Sequence, residues 1–520
     1  MNYMEALKQL PIGIQDFESL RKDDYLYVDK TALVYQLAKT GRYYFLSRPR
    51  RFGKSMLIST LQAYFEGKKE LFDGLAIADL EKDWIKHPVL HLDLNLVTYN
   101  SSDSLSKILN DNLCNWEELY GSKESETTFG LRFAGVVRRA YEKTGQRVVI
   151  LVDEYDKPIL QTIDNDKLQE DYRATLKPFY GVLKTMDKYI KFALLTGVTK
   201  FGKVSVFSDL NNLKDISMRE EYATICGITD EEIDTVFTPY LKRLSDKLGR
   251  TAAEVREELR QRYDGYHFRA NATAMYNPFS VLNTFDSNEF GSYWFETGTP
   301  SYLVYLLKKE DYMLENIDGI EVGEDVLNNV DTAAKDPIPV IYQSGYLTIK
   351  GYDNEFNVYK LGYPNLEVKN GFLKYLLPYY SSVTASQTEF YLMNFVKAVR
   401  AGKIDEFMER LQSMLAGTSY DLKLNNENNY QNTIYLLCML MGLRVGVERR
   451  TAHGRIDMTL ETNDTFYAFE FKLDGTAEQA LAQINDKDYM LPFKFTGKKL
   501  VKVGVNFSSA KRTIDSWIVG

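Results

Sequence analysis

The chain has 520 residues, of which 44% are hydrophobic, 26% charged and 13% aromatic. At about 100–200 residues per domain this length predicts two to four folded domains. The composition excludes extensive disorder and collagen-like repeats, and with no apolar run near ~18 residues no membrane span is expected. The opening segment MNYMEALKQLPIG lacks a basic stretch followed by an apolar core, so no secretory signal is expected. Cys114, Cys226 and Cys438 lie far apart, and the four histidines are His87, His91, His267 and His453. Neither a disulfide framework nor a Cys or His metal centre is expected, and a cytoplasmic location fits. The net charge is −8, which excludes a chain coated in basic surface. Residues 441–520 nevertheless carry twelve Lys/Arg against ten Asp/Glu, leaving −10 on the first 440.

Short apolar runs at 43–47 (YYFLS), 89–94 (VLHLDL), 147–152 (RVVILV) and 191–196 (KFALLT) read as buried strands. Helical stretches separate them, at Lys54–Phe65, Ser104–Leu119 and Tyr172–Met186. Strands alternating with helices predict a mainly parallel sheet covered on both faces. From about residue 228 the pattern turns helical, with a capping box at Thr229-Asp230-Glu231-Glu232 and a helix over Ala252–Tyr263. YLTIKGYDNEFNVYKLGYP reads as a hairpin turning at Asp353-Asn354. Helices follow at Phe390–Ala401, Ile404–Leu415 and Tyr430–Met441, then strand–turn–strand–helix–strand from Leu443 to Phe507.

Two motifs carry phosphate chemistry. Ser47-Arg48-Pro49-Arg50-Arg51-Phe52-Gly53-Lys54-Ser55 joins a strand to a helix, as a P-loop does. Backbone N–H groups and a helix start then hold the phosphates, the lysine reaches the outer ones, and the hydroxyl meets Mg²⁺. Arg48 stands where the pattern has its first glycine. Arg48, Arg51, Gly53, Lys54 and Ser55 are the nucleotide-binding candidates. Downstream, VVILVDEYDKP ends a buried strand in Asp153-Glu154. There Asp153 would hold the Mg²⁺ shell and Glu154 would polarise the attacking water. Thr196, ending the 191–196 strand, either orients that water or is an ordinary strand-end hydroxyl. No arginine finger stands out; Arg219 and Arg262 are guesses.

The segments LPIGIQDFESLRKDDYLYVDKT, FLSRPRRFGKSML, VDEYDKPI and LTGVTKFGKVSVFSDLNNLKDIS resemble the AAA-ATPase-like family of microbial proteins. The likeness runs from residue 10 to about 285, through YDGYHF (263–268) and YNPFSVLN (276–283), and continues in WFETGTPSYL (294–303) and YQSGYLTI (342–349). These are P-loop ATPases carrying a C-terminal nuclease-like domain. The resemblance implies an α/β additional-strand P-loop fold of AAA/STAND-like type, with a strand between the Walker A and Walker B strands. It also implies that Arg-Arg-Phe-Gly-Lys-Ser is a normal loop there. No role for Tyr-Asp-Gly-Tyr or Thr-Gly-Thr-Pro follows from it.

Near the C-terminus, Gly454-Arg455-Ile456-Asp457 precedes a turn and the strand Phe466–Phe471 with Lys472. Glu470 and Lys472 are two apart and share a strand face. Antiparallel pairing brings Asp457 beside Glu470, giving a hard-cation site with a positive charge next to it. This Asp-x12-Glu-x-Lys pattern resembles the PD-(D/E)XK nuclease signature. The family places a glutamine after the lysine, for which Gln483 is preferred over Gln479, and a metal-holding glutamate on an upstream helix, for which Glu427 is the candidate. Lys494, Lys498, Lys499, Lys502, Lys511 and Arg512 could rim the site toward phosphates, or be an ordinary solvated face.

The expected organisation is a P-loop ATPase core at 1–227, a helical lid at 228–285, a middle α+β region at 286–385 read as winged-helix-like or as any small insert, and an α/β restriction-endonuclease-like domain at 386–520. The leading function is an ATP-hydrolysing protein, using Mg²⁺ or Mn²⁺, coupled to a metal-dependent nuclease acting on DNA rather than RNA. The rival is a nucleotide-dependent switch whose nuclease fold only binds nucleic acid or a protein. A third possibility is an ATPase whose tail is a scaffold. No membrane partner is expected; a monomer or oligomer is open.

Overall fold

A computed structural model describes residues 7–163, 165–200, 212–296, 301–328, 336–381, 383–417, 427–451 and 454–520. The chain forms two compact units, one from residues 1–298 with 319–368, the other from 299–318 with 369–520. They share the 286–385 segment between them, with 299–318 and 369–385 in the second unit and the rest in the first.

The first unit is built on a five-stranded sheet of β1 (Tyr43–Ser47), β2 (Val89–Asp93), β3 (Val148–Asp153), β4 (Ile190–Gly197) and the two-residue β5 (Lys214–Asp215), in the order β2-β3-β4-β1-β5. All pairings are parallel, and β4 lies between β1, which leads into the Gly53-Lys54-Ser55 loop, and β3, which ends at Asp153, the additional-strand arrangement. Every residue of β1 and β3 is buried, as expected where helices cover both faces of a parallel sheet. The helix Lys54–Phe65 runs over the expected residues, and its Leu57, Ile58 and Leu61 pack with Leu46, Leu151 and Leu194. The helix expected at Tyr172 instead starts at Asp166, where the Asn165 side chain accepts from Leu168 N–H. Its first turn is polar, which hides it from an apolar-period reading.

The helical segment has its own core of Ile233, Phe237, Leu244, Val255, Leu259 and Phe285, into which Leu10 of the N-terminal segment also packs. The capping box at Thr229 and Glu232 is formed in full. β6 (Ile228–Thr229) pairs with β7 (Met275–Tyr276). The expected hairpin is present as β9 (Thr348–Asp353) and β10 (Val358–Gly362), with β8 (Glu321–Gly323) added on the outer side of β10.

The second unit carries the sheet β11 (Arg444–Thr451), β12 (Gly454–Glu461), β13 (Thr465–Leu473), β14 (Lys499–Ser508) and β15 (Thr513–Val519), in that order. Only β13 and β14 are parallel, and the helix Ala477–Asp486 makes the crossover between them. Six consecutive residues of β13, Phe466 to Phe471, are buried, so both faces of this strand are covered. β15 lies beyond the segment read as ending at Phe507; its residues TIDSWIV alternate too weakly to stand out without β14 beside them.

Candidate nucleotide and phosphodiester sites

Gly53 caps the helix Lys54–Phe65 in the left-handed region at φ 93° and, as a glycine, supplies no side-chain cap hydrogen bond. The first N–H groups of this helix are therefore donors for an anion. Lys54 is buried at 4% exposure, and its Nζ donates to the carbonyls of Arg48 (3.2 Å) and Pro49 (3.3 Å) while standing 3.3 Å from Glu154 Oε1. Ser55 Oγ donates to Asp153 Oδ2 at 2.5 Å, and Thr196 Oγ1 donates to Asp153 Oδ1 at 2.5 Å. Five of the sequence candidates (Lys54, Ser55, Asp153, Glu154 and Thr196) thus meet at the C-terminal ends of β1, β3 and β4. Glu154 holds φ 53°, rare for a residue with a Cβ.

Arg48, grouped with the phosphate binders on sequence, has a different role. Its side chain is 1% exposed and donates to the carbonyls of Ser47 (2.9 Å), Ser217 (2.8 Å) and Tyr222 (3.2 Å), with the guanidinium 3.9 Å over the Phe268 ring. Burial lowers its pKa to about 10. What Arg48 offers the loop is its carbonyl, not its charge. The next residues are also held by packing. A Cβ on Gly345 would lie 2.6 Å from Pro49 Cβ, Trp294 Nε1 donates to Arg50 O at 3.1 Å, and Phe52 packs edge-on against Tyr266 and Phe268 at 4.7 and 5.3 Å. YDGYHF, the tryptophan of WFETGT and YQSGYL therefore scaffold this loop, in place of the conformational freedom of a first glycine. Arg51 is exposed, at φ 63°, with its guanidinium 5.0 Å from the Phe279 ring centroid.

The residues just beyond Glu154 tie the ends of β3 and β4 together. Tyr155 N–H donates to Thr196 O (3.0 Å), and its hydroxyl donates to Thr199 O (2.7 Å). Asp156 is fully buried, and its Oδ2 accepts from Val198 N–H, Thr199 N–H and Thr199 Oγ1 at 3.0, 2.6 and 2.7 Å. Burial, reinforced by the charge of Glu154, raises its pKa to about 6. The sequence signal for Asp156 was the second acid in DEYD.

In the second unit, the pairing of Met458 with Phe469 sets Asp457 opposite Glu470 at the next register step. Asp457 Oδ2 accepts from Phe471 N–H at 2.7 Å. Glu470 is 1% exposed, and its Oε2 is buried with no hydrogen-bond partner among the described residues. Burial first, then the Asp457 charge, raise its pKa to about 7, against the opposing pull of Lys472. Lys472 Nζ lies 3.6 Å from Glu470 Oε1 and donates to Gln483 Oε1 at 2.7 Å, and Gln483 Nε2 in turn donates to Glu470 Oε1. Gln483 joins the site; Gln479 closes the capping box at Thr476. The helix Glu427–Leu440 begins at Glu427, whose side chain lies outside the described residues. Among the described residues no group of three metal-ligating side chains forms. Of the basic rim, Lys498 pairs with Glu461, Lys511 with Asp515, and Lys502 bonds Asn485. Of the two guessed arginine fingers, Arg219 pairs with Glu221 and Arg262 with Glu258. No helix among the described residues is long and apolar enough to cross a membrane.

The fold and these two sites define a P-loop ATPase-like unit combined with a PD-(D/E)XK nuclease-type unit. Residues 11–207 match the family model described as Predicted AAA-ATPase, and residues 425–517 match the PD-(D/E)XK nuclease superfamily. The chain is 37% identical over 528 residues to a protein of Azotobacter chroococcum mcd 1, described as an uncharacterized protein in the vnfD 5′ region, with 98% of this chain and 99% of that relative covered. The chain belongs to this AAA-ATPase-like family with a C-terminal PD-(D/E)XK domain.

Proposed function

We propose that this protein binds and hydrolyses ATP with Mg²⁺ in its first unit and cleaves DNA with Mg²⁺ or Mn²⁺ in its second. The observation that supports it most is the pairing of Ser55 with Asp153 beside the buried Lys54. A P-loop hydroxyl and a strand-end carboxylate meet there, and Ser55 and Asp153 are the residues that would hold a cation. Lys54 would exchange its two carbonyl contacts for phosphate oxygens, and Glu154 is the base that orients water. A bound Mg²⁺ would offset the phosphate charge.

At the second site Glu470 and Asp457 are the oxygen donors, and the buried Glu470 Oε2, with no hydrogen-bond partner among the described residues, is an oxygen that a cation could take. A cation there supplies an activated water. Lys472, aimed by Gln483, would stabilise charge on the phosphate. The test is incubation of linear, circular and single-stranded DNA and RNA with Mg²⁺ or Mn²⁺, with and without ATP, for the wild type, Lys54→Ala, Glu154→Gln and the Glu470→Ala/Lys472→Ala double variant. Cleavage that survives the double variant removes the nuclease assignment. ATP binding undiminished in Lys54→Ala removes the P-loop assignment.

A further inference from the structure

The turn Gly197–Lys200 leaves β4 beside Thr196 and is gripped from two sides. From the segment just after β3, Asp156 takes both backbone N–H groups of Val198 and Thr199 and the Thr199 hydroxyl on one buried oxygen. From the short helix Ile338–Gln343, the Gln343 Oε1 accepts from Lys200 N–H at 2.5 Å, while Gln343 Nε2 donates to Leu327 O at 2.8 Å. Gln343 is 5% exposed, so both bonds form away from water, where geometry is firmly specified. The turn fits Asp156 so closely that a Cβ on Gly197 would lie 2.5 Å from Asp156 Oδ1. Gly197 O also accepts from Arg48 N–H at 3.1 Å, tying the turn to the start of the loop.

The structure assigns Asp156 and Gln343 as positioning residues for ATP hydrolysis, acting through this turn; the inference rests on the ATPase reading above. Two groups depend on the turn. Thr196, whose hydroxyl holds Asp153, immediately precedes it. Glu154, in the left-handed region, directly precedes Tyr155, which is tied to Thr196 and Thr199. The backbone donors for phosphate are placed chiefly by their own helix, since Gly53, Lys54 and Ser55 start a helix whose Leu57, Ile58 and Leu61 are fixed in the core, and the turn meets the loop backbone at Arg48. Loosening the turn should therefore displace the hydrolytic groups and spare ATP binding. A residue from 319–368 thereby acts on the nucleotide site of its own unit.

The experiment measures fluorescent-ATP affinity, phosphate-release kcat and thermal unfolding on the full chain for wild type, Asp156→Ala, Asp156→Asn, Gln343→Ala and Gln343→Glu. Asp156→Ala and Gln343→Ala are expected to lower kcat by about 10²-fold, the scale of a 1 Å misplacement. Nucleotide Kd should stay within about threefold, as for a residue acting on the transition state alone. Gln343→Glu, which keeps the acceptor for Lys200 N–H, should recover most of the kcat that Gln343→Ala loses. Asp156→Asn, which retains one acceptor, should fall between wild type and Asp156→Ala. Wild-type turnover with variant kcat unchanged, or kcat and Kd weakened in parallel, overturns the positioning role alone. Absence of ATP turnover in the wild type overturns both this role and the ATPase reading.

Discussion

Ser55 Oγ donates to Asp153 Oδ2 across 98 positions of sequence, joining the start of the P-loop helix to the end of the neighbouring acidic strand. Thr196 takes the other oxygen of the same carboxylate, so Asp153 is fixed from both sides before any ligand arrives. Such preorganisation means that substitutions here should separate binding from chemistry. Lys54→Ala should weaken ATP affinity about 10- to 100-fold, the scale of one charge-assisted contact. Titration with a fluorescent ATP analogue checks it.

Glu154→Gln should leave that affinity near wild type and lower phosphate release by about 10²- to 10⁴-fold, the range for loss of a general base. Single-turnover hydrolysis distinguishes this from slow product release. A wild-type rate in the variant would assign the water-orienting role elsewhere.

Arg48→Leu should destabilise the first unit by about 3 kcal/mol or more, because three buried carbonyls lose their donor together. Arg48→Lys should not rescue it, since an ammonium lacks the planar fork that spans Ser47, Ser217 and Tyr222 and stacks on Phe268. Thermal unfolding reads the stability. Retention of full stability in Arg48→Leu would sink the scaffold interpretation.

Glu470 gives a pH signature whose sign is opposite to that of a salt-bridged carboxylate. Its folded pKa is raised to about 7 from an ordinary 4.5, so protonation favours the fold. The stability it contributes is fully present below about 4.5 and is lost as pH rises through about 7. In chelator, Glu470→Gln should raise the unfolding temperature of the second unit more at pH 8 than at pH 5. Divalent-cation affinity of the wild type should climb over the same interval, since the carboxylate must lose its proton first. Calorimetry at both pH values tests the pair.

Gln483→Ala should lower DNA cleavage by about tenfold or more, by removing the amide that holds both Lys472 Nζ and Glu470 Oε1. Gln479→Ala should cost only about 1 kcal/mol of helix capping and leave cleavage unchanged. Nicking assays on the two variants separate them, and equal losses would contradict the assignment.

Local pattern decided much of this architecture. Four apolar runs became the four long strands of the first sheet, and the helix Lys54–Phe65 and the helix Ala252–Tyr263 have the expected ends. The reason is that strand burial and helix capping are set by neighbours a few residues away. At the C-terminus, the two-residue strand period already placed Glu470 and Lys472 together, and the turn length set Asp457 against them. The sequence could not choose where Arg48 points. A cation in a phosphate loop suits solvent and phosphate alike, and only Ser217, Tyr222 and Phe268, more than 160 residues away, draw it inward. Asp156 and Gln343 were hidden for the same reason, as their partners in the Gly197–Lys200 turn lie 42 to 143 positions distant. Sequence alone determined that a phosphate loop, an acidic strand end and a Glu-x-Lys strand are present, because each is a local pattern of backbone and charge. Tertiary structure decided which cations face the site and which are buried as scaffold, because burial depends on packing between distant segments.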